Sequence, residues 1–146
     1  MILSQPALHA GFSNDRDKQN VAIHEFAHLI DMVDGDVDGF PQELKDSSFA
    51  LPWLELISEK TKQINQGKSN IRDYGATNKA EFFAVSTEYF FERPEMMRRK
   101  HPKLYKALTD FYQQDRADIK QVAKIRAKGP CPCGSGKRYK RCCMPK

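Results

Sequence analysis

Apolar positions along the chain recur at helical spacing rather than in strict alternation. Between Asp17 and Met32, Val21, Phe26, Ala27, Leu29 and Ile30 occupy most of the helical circumference. That pattern predicts a helix from about Asp17 to Met32, capped by Asn14 or Asp15 and buried on most sides. Gly11 to Asn20 ahead of it is a polar turn region, and Ile2-Leu3 is the one place for a short edge strand. Asp31 to Pro41 reads as a loop carrying the turn pairs Asp34-Gly35 and Asp38-Gly39. Pro52 to Gln66 follows as a helix, with proline at its start and Gly67 just past its end. Gly67 to Thr77 is polar and loop-like. Asn78 to Phe91 is a second strongly apolar helix, stopped by Arg93-Pro94. Pro94 and Pro102 open two more helices, the second with Leu104, Leu108, Phe111 and Tyr112 at helical spacing. Ala117 to Lys128 is a charged helix or linker, and no internal repeat is visible. The expected body is mainly α, with α+β as the lesser alternative.

Composition adds a division that the pattern alone does not show. The chain of 146 residues with 40% hydrophobic positions suits one domain with a small appendage. No run approaches 18 apolar residues, so no membrane span is expected. The opening Met1-Ile-Leu-Ser-Gln-Pro has neither the basic nor the apolar region of a secretory signal, so a cytoplasmic location with reduced thiols is expected. Residues 1–118 hold 15 Lys and Arg against all 19 Asp and Glu, a balance of −4. Residues 119–146 hold nine Lys and Arg and no acid, together with Cys131, Cys133, Cys142 and Cys143. The +5 of the whole chain is thus a mildly acidic body plus a basic, cysteine-bearing tail.

The body carries His24-Glu25-Phe26-Ala27-His28, an H-E-x-x-H string. One helical turn is about 3.6 residues, so side chains four apart project from one face, and two imidazoles held that way can bind one zinc ion. Glu25, beside the first histidine, would reach a water on the metal and act as its general base. Burying two histidines and a glutamate in an otherwise apolar helix is costly without a partner, and a metal supplies one. A catalytic zinc needs a third protein ligand. Asp34 lies six residues after His28, as in H-E-x-x-H-x-x-G-x-x-H/D, but Asp31 stands where that pattern needs glycine. Glu81 and Glu88 lie on the second apolar helix. Glu81 also fits a capping box with Asn78, and Glu88 also reads as a carboxylate behind a ligand or a solvated one. Asp31 and Asp34 are further candidates to receive the histidines' free N–H groups.

The end of the chain reads Cys131-Pro-Cys-Gly-Ser-Gly-Lys-Arg-Tyr-Lys-Arg-Cys-Cys. Four sulfurs in two close pairs around a glycine-rich turn satisfy tetrahedral zinc. A segment this small lacks a core, so the metal would supply its folding free energy. The C-x-C and Cys-Cys spacings do not match the C-x-x-C redox signature. Lys and Arg density alone suits nucleic acid or acidic lipid, but only Tyr139 interleaves the basic run, which gives base stacking little support. A solvated linker whose cations offset the charge of the zinc–thiolate cluster explains the basic end equally well.

Three longer strings carry a resemblance. Asn20-Val-Ala-Ile-His-Glu-Phe-Ala-His-Leu-Ile-Asp-Met-Val-Asp-Gly, Tyr74-Gly-Ala-Thr-Asn-Lys-Ala-Glu-Phe-Phe-Ala-Val and Glu88-Tyr-Phe-Phe-Glu-Arg-Pro are similar to the bacterial Mlc titration factor A zinc peptidases, over about Ile2 to Tyr112. The resemblance implies a gluzincin-like helical core with His24, His28 and Glu81 as ligands and Glu25 as general base. It also implies Tyr74 near the metal, its hydroxyl stabilising an oxyanion, whereas its plain reading is a loop aromatic packed on the core. Family members carry a substantial region ahead of the segment matching Met1, so the body is expected to lack it. Phe82, Phe83, Phe90 and Phe91 cannot all face one core, so some apolar surface is expected to be exposed. The cysteine end resembles the SEC-C motif, a zinc module known from the SecA motor, and Cys143 fits its last ligand.

These readings combine into an expected organisation: a peptidase domain at 1–117, a basic linker at 118–128 and a SEC-C module at 129–146. The expected cofactors are one catalytic and one structural zinc. The expected partners are a peptide or protein substrate and, for the tail, a protein or ribosome contact. The alternative is a regulatory protein that sequesters a transcription repressor with little turnover. A third reading makes the body inert and the tail a docking tag.

Overall fold

The computed structural model describes residues 4, 6, 11, 18–45, 50–118, 129–131 and 133–143. The chain divides into two compact units, Met1–Arg116 and Ala117–Lys146.

The first unit is built from helices α1 (Val21–Asp31), α2 (Gln42–Lys45), α3 (Ala50–Asn65), α4 (Lys79–Glu92), α5 (Pro94–Lys100) and α6 (Pro102–Tyr112), with short 3-10 turns at Met32–Asp34 and Asp73–Ala76. Among the described residues there is no strand, so the mainly α reading stands. Ile2-Leu3 lie outside the described residues.

α1 begins later than the sequence pattern predicts. Lys18 is left-handed at φ 64°, and Asn20 is extended, its side chain accepting the Ile23 N–H at 3.2 Å. Asn20 is therefore the cap; Asn14 and Asp15 lie outside the described residues. The cap is held in turn by its own Nδ2, which donates to the Gly11 carbonyl at 2.9 Å.

α1 is also less buried than its composition implies. Ala22, Ala27 and Asp31 are buried, whereas Val21, Phe26, Leu29 and Met32 are exposed. The edge that meets α4 is lined by small residues and the histidines, and the larger apolar side chains point the other way.

α3 starts two residues before Pro52 and ends at Asn65, followed by Gly67 at φ +66°, whose N–H reaches back to the Ile64 carbonyl at 2.8 Å. α5 and α6 each carry proline in the first turn, where its missing N–H costs nothing.

α4 is the central element, packed by α1, α3, α5 and α6 and by the Asp73–Ala76 turn. Phe82, Phe83 and Phe90 are fully buried and Phe91 is half-buried, so the exposed surface expected of this quartet does not occur. The reason is that partners surround the helix. Phe82 and Phe83 each lie 6.1 Å from the Trp53 ring of α3, and Phe83 meets Phe111 at 5.5 Å. Phe90 contacts Tyr105 at 5.4 Å and Tyr112 at 5.6 Å, and the Arg116 guanidinium covers Phe91 at 5.1 Å. Each fully buried phenylalanine contributes about 1.5–3 kcal/mol of transfer free energy.

In the second unit, the described residues form a tight turn. Cys131 N–H donates to the Lys137 carbonyl at 2.8 Å and Tyr139 N–H to the Gly129 carbonyl at 2.9 Å. Gly134 and Gly136 sit at φ +75° and +70° between them, and Tyr139–Arg141 is a single 3-10 turn. The expected linker falls largely on residues 119–128, outside the described residues.

Candidate metal centre

α1 presents His24 and His28 one turn apart toward the first turn of α4, where Glu81 stands. His24 Nε2 lies 3.2 Å from His28 Nε2 and 3.0 Å from Glu81 Oε2, and His28 Nε2 lies 3.5 Å from Glu81 Oε1. With metal–ligand bonds of about 2.0–2.1 Å, neighbouring corners of a zinc tetrahedron are ~3.3 Å apart. Each histidine faces a different Glu81 oxygen, and taking one atom per residue the three donors lie within 4.8 Å of one another, a cluster that one metal ion could join. Glu81 serves two ends: its backbone N–H donates to the Asn78 cap at 2.9 Å, and its carboxylate faces the histidines. The capping reading is correct for the backbone and leaves the side chain free for the site.

Glu88, one of the ligand candidates, lies behind His24 rather than beside the other two donors. It is 1% exposed. Its Oε1 accepts the His24 Nδ1–H at 2.8 Å and a hydrogen bond from Arg72 Nη2, and its Oε2 accepts the Asn20 N–H at 2.6 Å. With Nδ1 donating, a neutral His24 carries its lone pair on Nε2, toward His28 and Glu81. Burial pulls the His24 pKa down, but the hydrogen bond and charge of Glu88 and the charge of Glu81 outweigh it, so the value is raised.

Asp31 is fully buried, and one oxygen accepts the Gly39 N–H at 2.7 Å. Burial raises its carboxyl pKa. Among the described residues its other oxygen and His28 Nδ1, three residues apart on the same helix, are both buried without a hydrogen-bond partner. Asp34 is not part of the cluster: its carboxylate takes Lys45 Nζ at 2.5 Å and the Asp36 N–H at 3.2 Å. The reading of Asp34 as third ligand is overturned, because its carboxylate is engaged by Lys45 and the Asp36 N–H and does not join His24, His28 and Glu81.

Glu25 is half-buried next to His24. Tyr74 is 52% exposed, and its ring lies 6.0 Å from that of His24. It faces the metal-side histidine instead of packing on the core. An open cleft of about 470 Å³ runs beside the cluster, lined by His28, Val37, Asp38, Asn78, Lys79, Ala80 and Glu81. Sequence reasoning missed Arg72, whose position carries no spacing signal. The only hint was that a buried glutamate needs a charged partner.

The second cluster has the same logic with sulfur. Cys133 Sγ lies 3.3 Å from Cys131 Sγ and 3.5 Å from Cys142 Sγ, and Cys142 Sγ lies 3.7 Å from Cys143 Sγ. Zinc–sulfur bonds of about 2.3 Å place neighbouring sulfurs ~3.8 Å apart. Ser135 also contacts Cys142 at 3.2 Å. Hydrogen bonds from the Ser135 side chain and backbone lower the Cys133 thiol to about 6, while those to Cys131, Cys133 and Cys142 push Cys143 up to about 12. Crowded thiols do not all ionise unaided, and a divalent cation is what makes four thiolates compatible.

No helix among the described residues is long and apolar enough to cross a membrane. The family described as glucose-regulated metallo-peptidase M90 matches residues 1–113, and the SEC-C motif matches residues 130–145. Mlc titration factor A of Escherichia coli is 35% identical over 109 residues, covering 70% of this chain and 41% of the relative. The protein of that name from Escherichia fergusonii is 37% identical over the same span. An uncharacterized protein of Synechocystis sp. is 38% identical over 102 residues, 66% of this chain and 37% of the relative. The chain thus spans about two fifths of the length of the curated relatives it matches. With a match running over residues 1–113, which include His24 and His28, the chain belongs to the glucose-regulated metallo-peptidase M90 family and carries a SEC-C motif behind it.

Proposed function

We propose that this chain is a zinc-dependent peptidase whose body holds the catalytic metal and whose cysteine end holds a structural one. The observation that carries the reading is the cluster of His24, His28 and Glu81, whose ligand atoms lie within 4.8 Å of one another, with His24 backed by a buried carboxylate. A zinc ion bound there supplies a Lewis acid that acidifies water to a pKa of about 7 and polarises a carbonyl.

The chain's own groups do the rest. Glu25 takes the proton of the attacking water and returns it to the departing amine. The Tyr74 hydroxyl donates to the carbonyl oxygen as negative charge develops on it. The cleft beside Glu81 receives the peptide. Cys131, Cys133, Cys142 and Cys143 hold the structural zinc, and Lys137, Arg138, Lys140 and Arg141 offset its −2 cluster. We assign 1–117 to the peptidase domain, 118–128 to the linker and 129–146 to the SEC-C module, in a cytoplasmic protein. The name of the Escherichia relatives points to Mlc as their partner, and a protein partner of that kind is carried over here as part of the proposal. The basic module is assigned a protein or ribosome contact.

Peptide cleavage by the full chain tests the mechanism. Glu25→Gln should lower kcat by at least 100-fold while zinc content stays the same. Equal turnover by the two proteins would overturn it.

A further inference from the structure

We propose that Arg72 is a positioning residue of the metal centre, acting through Glu88 on His24 and through its own turn on Tyr74. The inference rests on the metal-site reading above. Arg72 lies outside the H-E-x-x-H helix, on the segment between α3 and the Asp73–Ala76 turn. Its Nη2 donates to Glu88 Oε1, the same oxygen that takes the His24 Nδ1–H at 2.8 Å. The other oxygen takes the Asn20 N–H at 2.6 Å. Three donors, two from α1 and its cap and one from the segment at Arg72, thus converge on one carboxylate that is 1% exposed. Asn20 caps α1 and His24 lies on it, so Arg72 is the donor that reaches the carboxylate from outside that helix. Without it, Oε1 is free to follow His24, and the imidazole loses its fixed aim at His28 and Glu81. A buried charge stripped of its cation is also poorly tolerated.

The second link runs through the backbone. Arg72 is the cap of the Asp73–Ala76 turn, extended at φ −61°, ψ 144°, and its carbonyl accepts the Gly75 N–H at 3.0 Å. Tyr74 sits inside that turn, with its ring 6.0 Å from His24. Gly75 is buried against Val85 of α4, where an added Cβ would lie 3.4 Å from the valine. At the head of the segment, Asn70 donates to the Tyr89 hydroxyl at 2.7 Å and pairs with His101 Nε2 at 2.6 Å. The segment therefore meets α4 at Tyr89, Glu88 and Val85, and the Arg72–Glu88 pair is the link that touches His24. One residue thus holds Glu88, and through it His24, with its side chain, and caps the turn that carries Tyr74 with its backbone.

The test compares Arg72→Met and Arg72→Lys with the wild type, in the full chain. It reads zinc affinity by chelator competition, kcat and KM on a peptide that the wild type cleaves, and the thermal midpoint of the metal-free protein. For Arg72→Met, one of the two zinc ions should bind about 10–100-fold more weakly while the other is unchanged. Its kcat should fall by a larger factor than KM rises, and Tyr74→Phe should cost less in this background than in the wild type. Arg72→Lys should recover part of the zinc affinity. A purely structural arginine would shift the midpoint and leave the zinc affinity of the folded protein intact, and that result overturns the proposal. If Arg72→Met does not fold, Glu88→Gln and Arg72→Lys carry the test. Wild-type zinc affinity in both would overturn it. A wild-type chain that binds no zinc at the histidines removes the peptidase reading, and this inference with it. Normal binding in the wild type with an indifferent Arg72→Met removes the positioning role alone.

Discussion

Gly39 ties the loop after α1 to the site. At φ +75° it adopts a left-handed backbone, and a Cβ there would lie 2.2 Å from the Lys79 carbonyl oxygen at the start of α4. Its N–H holds Asp31 and its carbonyl accepts the Trp53 indole N–H at 2.9 Å. Gly39→Ala should therefore cost more than the ~1–3 kcal/mol of backbone strain alone, measured by urea unfolding. The turn pair Asp38-Gly39 was legible in the sequence, but the backbone it touches, 40 residues on, was not. His101 gives a second residue-scale prediction. Burial, and then the charges of Lys60 and Lys18, lower its pKa to about 4. The unfolded chain takes up that proton near its ordinary 6.5, whereas the folded chain refuses it until about 4. Stability should thus fall as pH drops from about 6.5 to about 4 and be insensitive to this group above that window. Denaturation midpoints across the range check it, and His101→Gln, which keeps a donor for Asn70, should flatten the slope.

α1 and α4 look alike as strings of apolar residues and behave differently as elements. α4 is enclosed by its neighbours, so its phenylalanines meet aromatic partners in several directions. α1 lies on the surface with one polar, functional edge inward and leaves Phe26 55% exposed. Phe83→Ala should cost about 3–5 kcal/mol, while Phe26→Ala should stay within about 0.5 kcal/mol in the same thermal or urea assay. The hydrophobic pattern specified both helices, but it has no information about which neighbours each one finds. The same limit explains the late start of α1. Its cap is chosen by Asn20, which is locked to Gly11 and Glu88 by tertiary hydrogen bonds.

At the scale of the whole molecule, the two-zinc proposal predicts that the two units respond to metal removal in different ways. The body has an aromatic core around Trp53, Phe82, Phe83 and Phe90. Among the described residues of the cysteine segment, only Cys131 is buried. Elemental analysis should find two zinc per chain, falling to one in either His24→Ala or Cys142→Ser. Chelation should unfold the cysteine segment, because its folding free energy is the binding free energy, and should leave most of the helical signal of the body in circular dichroism. A wild-type count of one would overturn the two-site reading.

The sequence by itself determined the helix-rich composition, the H-E-x-x-H face, the four-sulfur cluster and the short list of acids from which a third ligand must come. These are local: spacing along a helix or around a turn places such groups whatever lies elsewhere. Spacing alone left Asp34, Glu81 and Glu88 open and the resemblance implied Glu81; which of them lies against the histidines depends on how α4 crosses α1. The tertiary structure put Glu81 against the histidines, set Glu88 behind them and spent Asp34 on Lys45. It also brought in Arg72 and turned Tyr74 toward His24. Those placements come from long-range packing and from the need to pair a buried carboxylate, and neither leaves a period or a spacing in the chain.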